Sequence, residues 1–326
     1  MPPKIRGMAI HPNTNTAAVR RFTLMIAGED TPDPRAERPP CGLPHERFLL
    51  GERVPFAPIL LLGQSNLALD PQLSIACLQP VHLHATRDHL VLLDQNQLGL
   101  TEAESTALLK PILPLLEEDF QGPLLFQNAS FYFMPAGPFL SLSTHSLDQA
   151  HGRNIDWWMP RDTDIEGVAK NWRKLQNEIQ MLWHIDPVNE KREQLGQASI
   201  NSIWISGIGK LADVHPPPCF QQIQIIYSDK PLLIGLAKFL NIAQSAVLNP
   251  NQLAGGFAFV DNPEPIWETL STALEAQHLD EVVLIDFPDG HVRERTLTRK
   301  ALHQQSWMFW RKPKKRSWQE LVGTKK

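Results

Sequence analysis

The stretch Trp183–Lys210, WHIDPVNEKREQLGQASINSIWISGIGK, decides how the chain is parsed. Pro187 suits the first turn of a helix and Gly196 the position just past its end, so the residues between them form a short helix. Ile200, Ile203, Trp204 and Ile205 are apolar and β-prone, and Ser199–Ile205 reads as a strand. Gly207-Ile208-Gly209-Lys210 follows as a loop that gathers backbone amides and one ammonium, which suits an anion. Glycines also close strands for purely steric reasons. Asn189 and Arg192 lie one turn apart on one helix face. Asn offers donor and acceptor, and Arg offers a planar fork matched to carboxylate or phosphate. The structural alternative pairs Arg192 with Glu190 or Asp186 and has Asn201 cap a turn.

Upstream, Val168, Trp172, Leu175, Ile179, Leu182 and Trp183 recur at helical spacing, so Val168–Ile185 is an amphipathic helix with a tryptophan stripe in the core. Asn177 and Glu178 on it can point toward the neighbouring motif. Downstream, Pro263–Gln277 reads as a helix and Glu281–Asp286 (EVVLID) as a strand buried on both faces, the kind found in parallel sheets. FPDGH follows that strand. Carboxylates and imidazole at the carboxyl end of a parallel strand stand where α/β sheets place their chemistry, so Asp286, Asp289 and His291 are candidate divalent-metal ligands. Asp-Gly-His is also an ordinary turn.

The N-terminal half is less regular. Phe22–Gly28 reads as a first strand, followed by a Pro-, Arg- and Glu-rich loop or irregular crossing over residues 29–58. Ile59–Leu62 and Ala76–Leu83 are short apolar segments. His82 and His84 share one strand face, with His89 and Asp88 nearby, which gives either a zinc-binding pair or a hairpin turning at Ala85–His89. The hairpin is the simpler reading. Thr101 and Glu104 make a capping box for a helix toward Leu116, interrupted by Pro111 and Pro114. Pro123–Met134 reads as two strands turning at Asn128. In Gly152–Asp162, GRNIDWWMPRD, Arg153 offers a bidentate clamp or a structural ion pair, and Trp157 and Trp158 either line a pocket or split between core and surface.

With 326 residues, 42% hydrophobic and 20% charged, the chain has the composition of a folded globular protein. A formal net charge of −4 gives no overall attraction to nucleic acid. Cys41, Cys77 and Cys219 match no zinc or disulfide spacing, which fits a reducing compartment. No apolar run has the length of a membrane span and no secretory signal is visible, so the cytoplasm is the expected location. The tail RKPKKRSWQELVGTKK holds seven Lys/Arg against one Glu. Together with Trp307, Phe309, Trp310 and Trp318 it offers an interaction surface for nucleic acid or anionic membrane, although a solvated terminal segment is the commoner outcome.

PVNEKREQLG followed by INSIWISGIGK resembles a segment of the archaeal-type cofactor-independent phosphoglycerate mutases of the alkaline-phosphatase-like superfamily. PVHLHATRDHLVLLD, LTEAE and NEIQMLWHIDPVNEKRE resemble the bacterial regulatory proteins of the RpfE type. GRNID in Gly152–Asp156 is similar to that family's GRDID, with Asn154 in place of Asp. The resemblance implies a degenerate alkaline-phosphatase-like sheet and an acidic small ligand at the Asn189 and Arg192 segment. It also implies that, where the chemistry is retained, a divalent metal (Mn or Mg) rather than an organic cofactor is used. Three departures bear on this. Ala27 stands where active relatives carry a metal-binding Asp before glycine, leaving Glu29 and Asp30 beyond it. Ser206 stands where mutases often have Arg. No Ser or Thr sits in a recognisable nucleophile context, Thr31 and Ser65 being the nearest.

The sequence therefore predicts an α/β protein. It has an arm over 1–20, an α+β portion over 21–150, a mutase-like α/β portion over 151–310 and a basic tail over 311–326, with a single compact domain as the alternative. The expected function is regulatory binding of an acidic or phosphorylated metabolite through Arg153, Asn189, Arg192, Asn201 and Lys210. A metal-dependent phosphomutase or phosphatase is the alternative, and binding through the basic tail the third.

Overall fold

Arg21–Ile26 (RFTLMI, β1) buries Phe22, Thr23, Leu24 and Met25 in succession, as a strand covered on both faces requires. The computed structural model describes residues 19–31, 35, 38–93, 95–303 and 318–322. After β1 come helices α1 (Pro44–Leu50) and α2 (Phe56–Gln64), strand β2 (Ile75–Val81) and the hairpin β3 (Leu83–Ala85) and β4 (Leu90–Leu92). Next are α3 (Gln95–Leu98), α4 (Glu102–Asp119), β5 (Phe126–Gln127) and β6 (Tyr132–Pro135). Then follow β7 (Leu142–Ser143), α5 (Leu147–Ala150), β8 (Arg161–Asp162), α6 (Val168–His184), α7 (Pro187–Gln194) and β9 (Ser202–Gly209). The chain continues through β10 (Ile225–Tyr227), α8 (Pro231–Leu240), β11 (Ala243–Ser245), β12 (Gly256–Val260) and α9 (Glu264–Glu275). It closes with β13 (Glu281–Asp286), β14 (Arg293–Thr298) and α10 (Trp318–Val322).

The larger sheet has the order β11-β10-β12-β1-β13-β14, parallel throughout except for β14. A smaller antiparallel sheet has the order β5-β6-β2-β9. Helices α2 and α8 lie between the sheets. One core joins Met25, Phe257 and Ile285 of the large sheet to Leu61 and Leu236 of these helices and to Ile75 and Phe133 of the small sheet. The outer face of the small sheet is covered by α4 and α6, with Trp172 and Trp183 fully buried. That of the large sheet is covered by α9, where Phe22 and Leu24 meet Leu270 and Leu274. The protein is thus α/β, in alternating helix and sheet layers.

A boundary near residue 150 does not separate these sheets. β1, from the first portion, is central in the large sheet, and β9, from the second, is an edge of the small one. Each sheet recruits a strand from the other half of the chain, so the halves are not independent units. The arm lies outside the described residues except Val19 and Arg20. Arg20 forks onto Asp280 at 2.7 Å. Of the tail only α10 is described, with Trp318 edge-on to Trp267 at 5.1 Å. Trp307, Phe309 and Trp310 lie outside the described residues.

The crossing predicted over residues 29–58 is partly helical. α2 is apolar all round, with Phe56–Leu61 buried without a break, so it lacks the amphipathic period that marks a helix in sequence. α4 runs unbroken through Pro111 and Pro114. Both prolines are exposed, as are Ala107 and Lys110, whose carbonyls they leave unbonded for water, while Leu108, Leu109, Ile112 and Leu116 hold the other face. β9 extends through Gly209, so the expected glycine loop is strand.

α2 and α8 cross with their backbones in contact. A Cβ on Gly63 would overlap the Pro231 carbonyl oxygen, and one on Gly235 would overlap that of Ile59. Gly235→Ala should cost about 3 kcal/mol or more by urea unfolding, because backbone rather than a flexible side chain must move. Gly137→Ala, with nothing within 4 Å, should stay within about 0.5 kcal/mol.

Candidate functional site at the carboxyl edge of the sheet

Because β1, β10, β12 and β13 are parallel, the residues following them share one edge of the large sheet. After β1, Asp30 is buried and turns toward α5. Gln149 donates to its carboxylate at 2.7 Å, the Arg153 Nη1 lies 3.7 Å from it, and the Arg153 Nη2 donates to the Asp30 carbonyl at 3.2 Å. The Arg153 guanidinium sits 4.9 Å over the Trp158 ring. Its Nη1 is buried without a hydrogen-bond partner, although the side chain is partly exposed. Trp158 is buried and Trp157 exposed beneath Arg161, so the adjacent tryptophans split between core and surface. His145 is buried beside Trp158. Its Nδ1 faces the Trp158 carbonyl at 3.0 Å and must donate to it, and burial lowers its pKa, so its Nε2 is a lone pair.

After β13, the Asp286 carboxylate is held by Arg293 at 2.8 and 2.7 Å and by Arg295 at 2.8 Å. Burial opposes its charge, but the Arg293 hydrogen bond and the two guanidinium charges outweigh burial and hold it below the usual carboxylate range. Asp289 and His291 are exposed. Among the described residues no three His, Cys, Asp or Glu side chains come together to hold a metal ion. Asp286, Asp289 and His291 therefore do not fit a divalent metal, because two arginines already occupy the acceptors that would ligate it.

The five residues expected to grip a ligand do not converge. Asn201 and Lys210 flank the eight-residue β9 and so stand about 30 Å apart. Arg192 is 1% exposed; it donates to the carbonyls of Ala198 and Leu98 and pairs with Glu104 at 3.1 Å. Asn189 donates to Trp183 and Ile200 carbonyls and accepts from the Ile200 N–H. Asn201 brackets the Leu83 backbone in the same way. Asn177, Asn189 and Asn201 line one groove of about 530 Å³, but the amides of the last two are spent on backbone. Glu178 pairs with Lys174. Gly207 and Gly209 make room for α2 rather than for an anion: a Cβ on Gly207 would come within 2.5 Å of the Phe56 ring, and one on Gly209 would overlap Pro55.

The other candidates resolve locally. His82 faces the Ser199 carbonyl, His89 pairs with Asp88, and the β3–β4 hairpin is the reading that holds. Ser65 caps α2 by donating to the Leu61 carbonyl. Thr31 lies against Gly290.

Sequence reasoning missed α1. Pro44 at its first position and Glu46 at its third form a readable start signal. The His45 Nδ1 accepts the Gly28 N–H at 3.2 Å, and burial pushes its pKa down to about 4. The Glu46 carboxylate accepts the Leu43 N–H at 2.7 Å. Burial, with Asp148 adding to it, pushes Glu46 up to about 7. A cavity of about 360 Å³ lies beside Glu46 and α5.

No protein-family model matches the chain, and no curated protein sequence matches it. Two solved structures are similar in backbone. One is the PH0037 protein from Pyrococcus horikoshii, at 12% identity over 83% of this chain and 82% of that one, with a TM-score of 0.40. The other is the cofactor-independent phosphoglycerate mutase from Thermoplasma acidophilum, at 13% identity over 85% and 89%, with a TM-score of 0.34. The α/β class rests on the sheet order itself.

Two predictions follow from the buried charges. Between pH 4.5 and 7 Glu46 stays protonated when folded and ionises when unfolded, so the folded state binds more protons and stability falls as pH rises. His45 has the opposite slope between pH 4 and 6.5, where the unfolded state binds the extra proton. Glu46→Gln should therefore gain on the parent chain as pH rises from 5 to 8, by up to about 3 kcal/mol in urea unfolding at each pH. Arg192→Ala removes a fully buried side chain and leaves the Ala198 and Leu98 carbonyls without their donor, and should cost about 3 kcal/mol in the same assay.

Proposed function

We propose that this chain is a regulatory protein on a phosphoglycerate-mutase-like scaffold that binds a small acidic or phosphorylated metabolite without turning it over. The observation that carries the reading is the capture of Asp286 by Arg293 and Arg295. At the carboxyl end of a central parallel strand a free carboxylate is a reagent, whereas one held by two guanidinium groups is a structural counter-ion. Asp30, after the neighbouring strand, accepts from Gln149 and faces the Arg153 guanidinium at 3.7 Å, a looser version of the same arrangement. Arg153 is the group that meets the anion, since its side chain is partly exposed and Trp158 fixes the plane of the fork.

Thermal unfolding of the full chain in EDTA, with and without 3-phosphoglycerate, tests this. Near-saturating ligand should raise the Tm by about 5 °C. Arg153→Ala should abolish the rise. An equal rise in that variant, no rise in the parent chain, or manganese-dependent consumption of 3-phosphoglycerate would each overturn the reading.

A further inference from the structure

A smaller cavity, of about 260 Å³, lies where three stretches of chain meet. The loop between α1 and α2 brings Glu52 and Arg53 to it. The paired strands β7 and β8 lead into Thr144 and Asp164, and the turn after β9 brings Asp213. Leu142 and Ile208 supply apolar lining. The volume is just below that of sites for drug-sized ligands, which suits a molecule the size of an amino acid. The loop carrying Arg53 is held against its own preference. Val54 has a φ of 48°, which β-branched residues rarely adopt, and its side chain packs on Gly42.

Charges of both signs line this one space without pairing. The side chains of Glu52, Arg53 and Asp164 are exposed, and none has a hydrogen-bond or ion-pair partner among the described residues. Asp213 accepts the Lys210 N–H at 3.3 Å. Thr144 is 7% exposed, and its hydroxyl has no partner among the described residues either. The Cys41 thiol, donating to the Thr144 carbonyl at 3.5 Å, forms part of the wall. A lone ammonium here would be drawn by the carboxylates and repelled by Arg53, and a lone carboxylate would meet the reverse. A molecule carrying both groups answers both, and a hydroxyl in the wall can donate to one end or accept from the other.

We propose that this cavity binds a free α-amino acid with an apolar side chain. Its carboxylate lies on Arg53, its ammonium among Asp164, Asp213 and the Thr144 hydroxyl, and its side chain against Leu142 and Ile208. The site does not rest on the anion reading, because none of Asp30, Gln149, Arg153 and Trp158 lines it.

Titration calorimetry of the full chain at neutral pH with L-leucine, 4-methylpentanoate and 3-methylbutylamine tests the proposal. Leucine should bind at one equivalent, and the two compounds that lack one of its charged groups about tenfold more weakly or worse. Arg53→Gln should weaken leucine about tenfold and leave the amine unchanged, whereas Asp164→Asn should weaken leucine severalfold and leave the carboxylate unchanged. Both changes are at exposed positions, so the fold is retained. Saturating leucine should also slow alkylation of Cys41 by N-ethylmaleimide, followed by peptide mass mapping, without slowing that of Cys219. Failure of leucine to saturate, equal binding of either half-molecule, unchanged leucine affinity in either variant, or unprotected Cys41 would overturn it.

Discussion

The contact between Gly63 and Gly235 is the constraint on which the rest of the structure depends. It lets α2 and α8 pack backbone to backbone as one layer between two sheets. From that layer, Phe56 and Pro55 press against β9, which answers with Gly207 and Gly209. The apolar wall of the Glu46 cavity comes from the same two helices and the loop at Phe131. A methyl group at either crossing glycine would change the spacing of both sheets, since close-packed interiors transmit strain instead of absorbing it.

Charge at the carboxyl edge follows one rule: each buried acid is matched locally. Asp286 has Arg293 and Arg295, and Asp30 has Arg153 and Gln149. At the opposite end of the sheet Arg20 and Arg21 pair with Asp280 and Glu281. Glu46 departs from the rule. Its hydrogen-bond partners are a backbone N–H and the Ser146 side chain, while the charges of Asp148 and Arg47 act on it in opposite directions. The strand-end carboxylates are thus matched by guanidinium groups, whereas Glu46 is held by neutral donors and kept from ionising easily by burial.

Local signals in the sequence were informative. The tryptophan stripe of α6, the buried EVVLID strand, the Thr101–Glu104 cap and the turn at Asn128 all appear where periodicity and turn chemistry put them. What was not legible is non-local. Arg192 finds Glu104 across 88 residues, and Gln149 finds Asp30 across 119. A fork-shaped side chain one turn from an asparagine looks the same in sequence whether it holds a ligand or three backbone and side-chain acceptors. α2 escaped for a different reason: burial on every side erases the period that distinguishes helix from strand.

The position of β1 has a consequence for how the chain reaches this state. Its partners β12 and β13 begin at Gly256 and Glu281, so the central strand of the large sheet emerges first and is placed among the last. Closing a loop of that length is entropically slow before any contact rewards it, and topologies dominated by such pairings fold slowly. During synthesis RFTLMI waits as an unpaired, apolar strand with two open edges, the condition under which chains associate wrongly. The large sheet is thus completed only when nearly all of the described chain is available, and productive folding depends on shielding one six-residue segment until then.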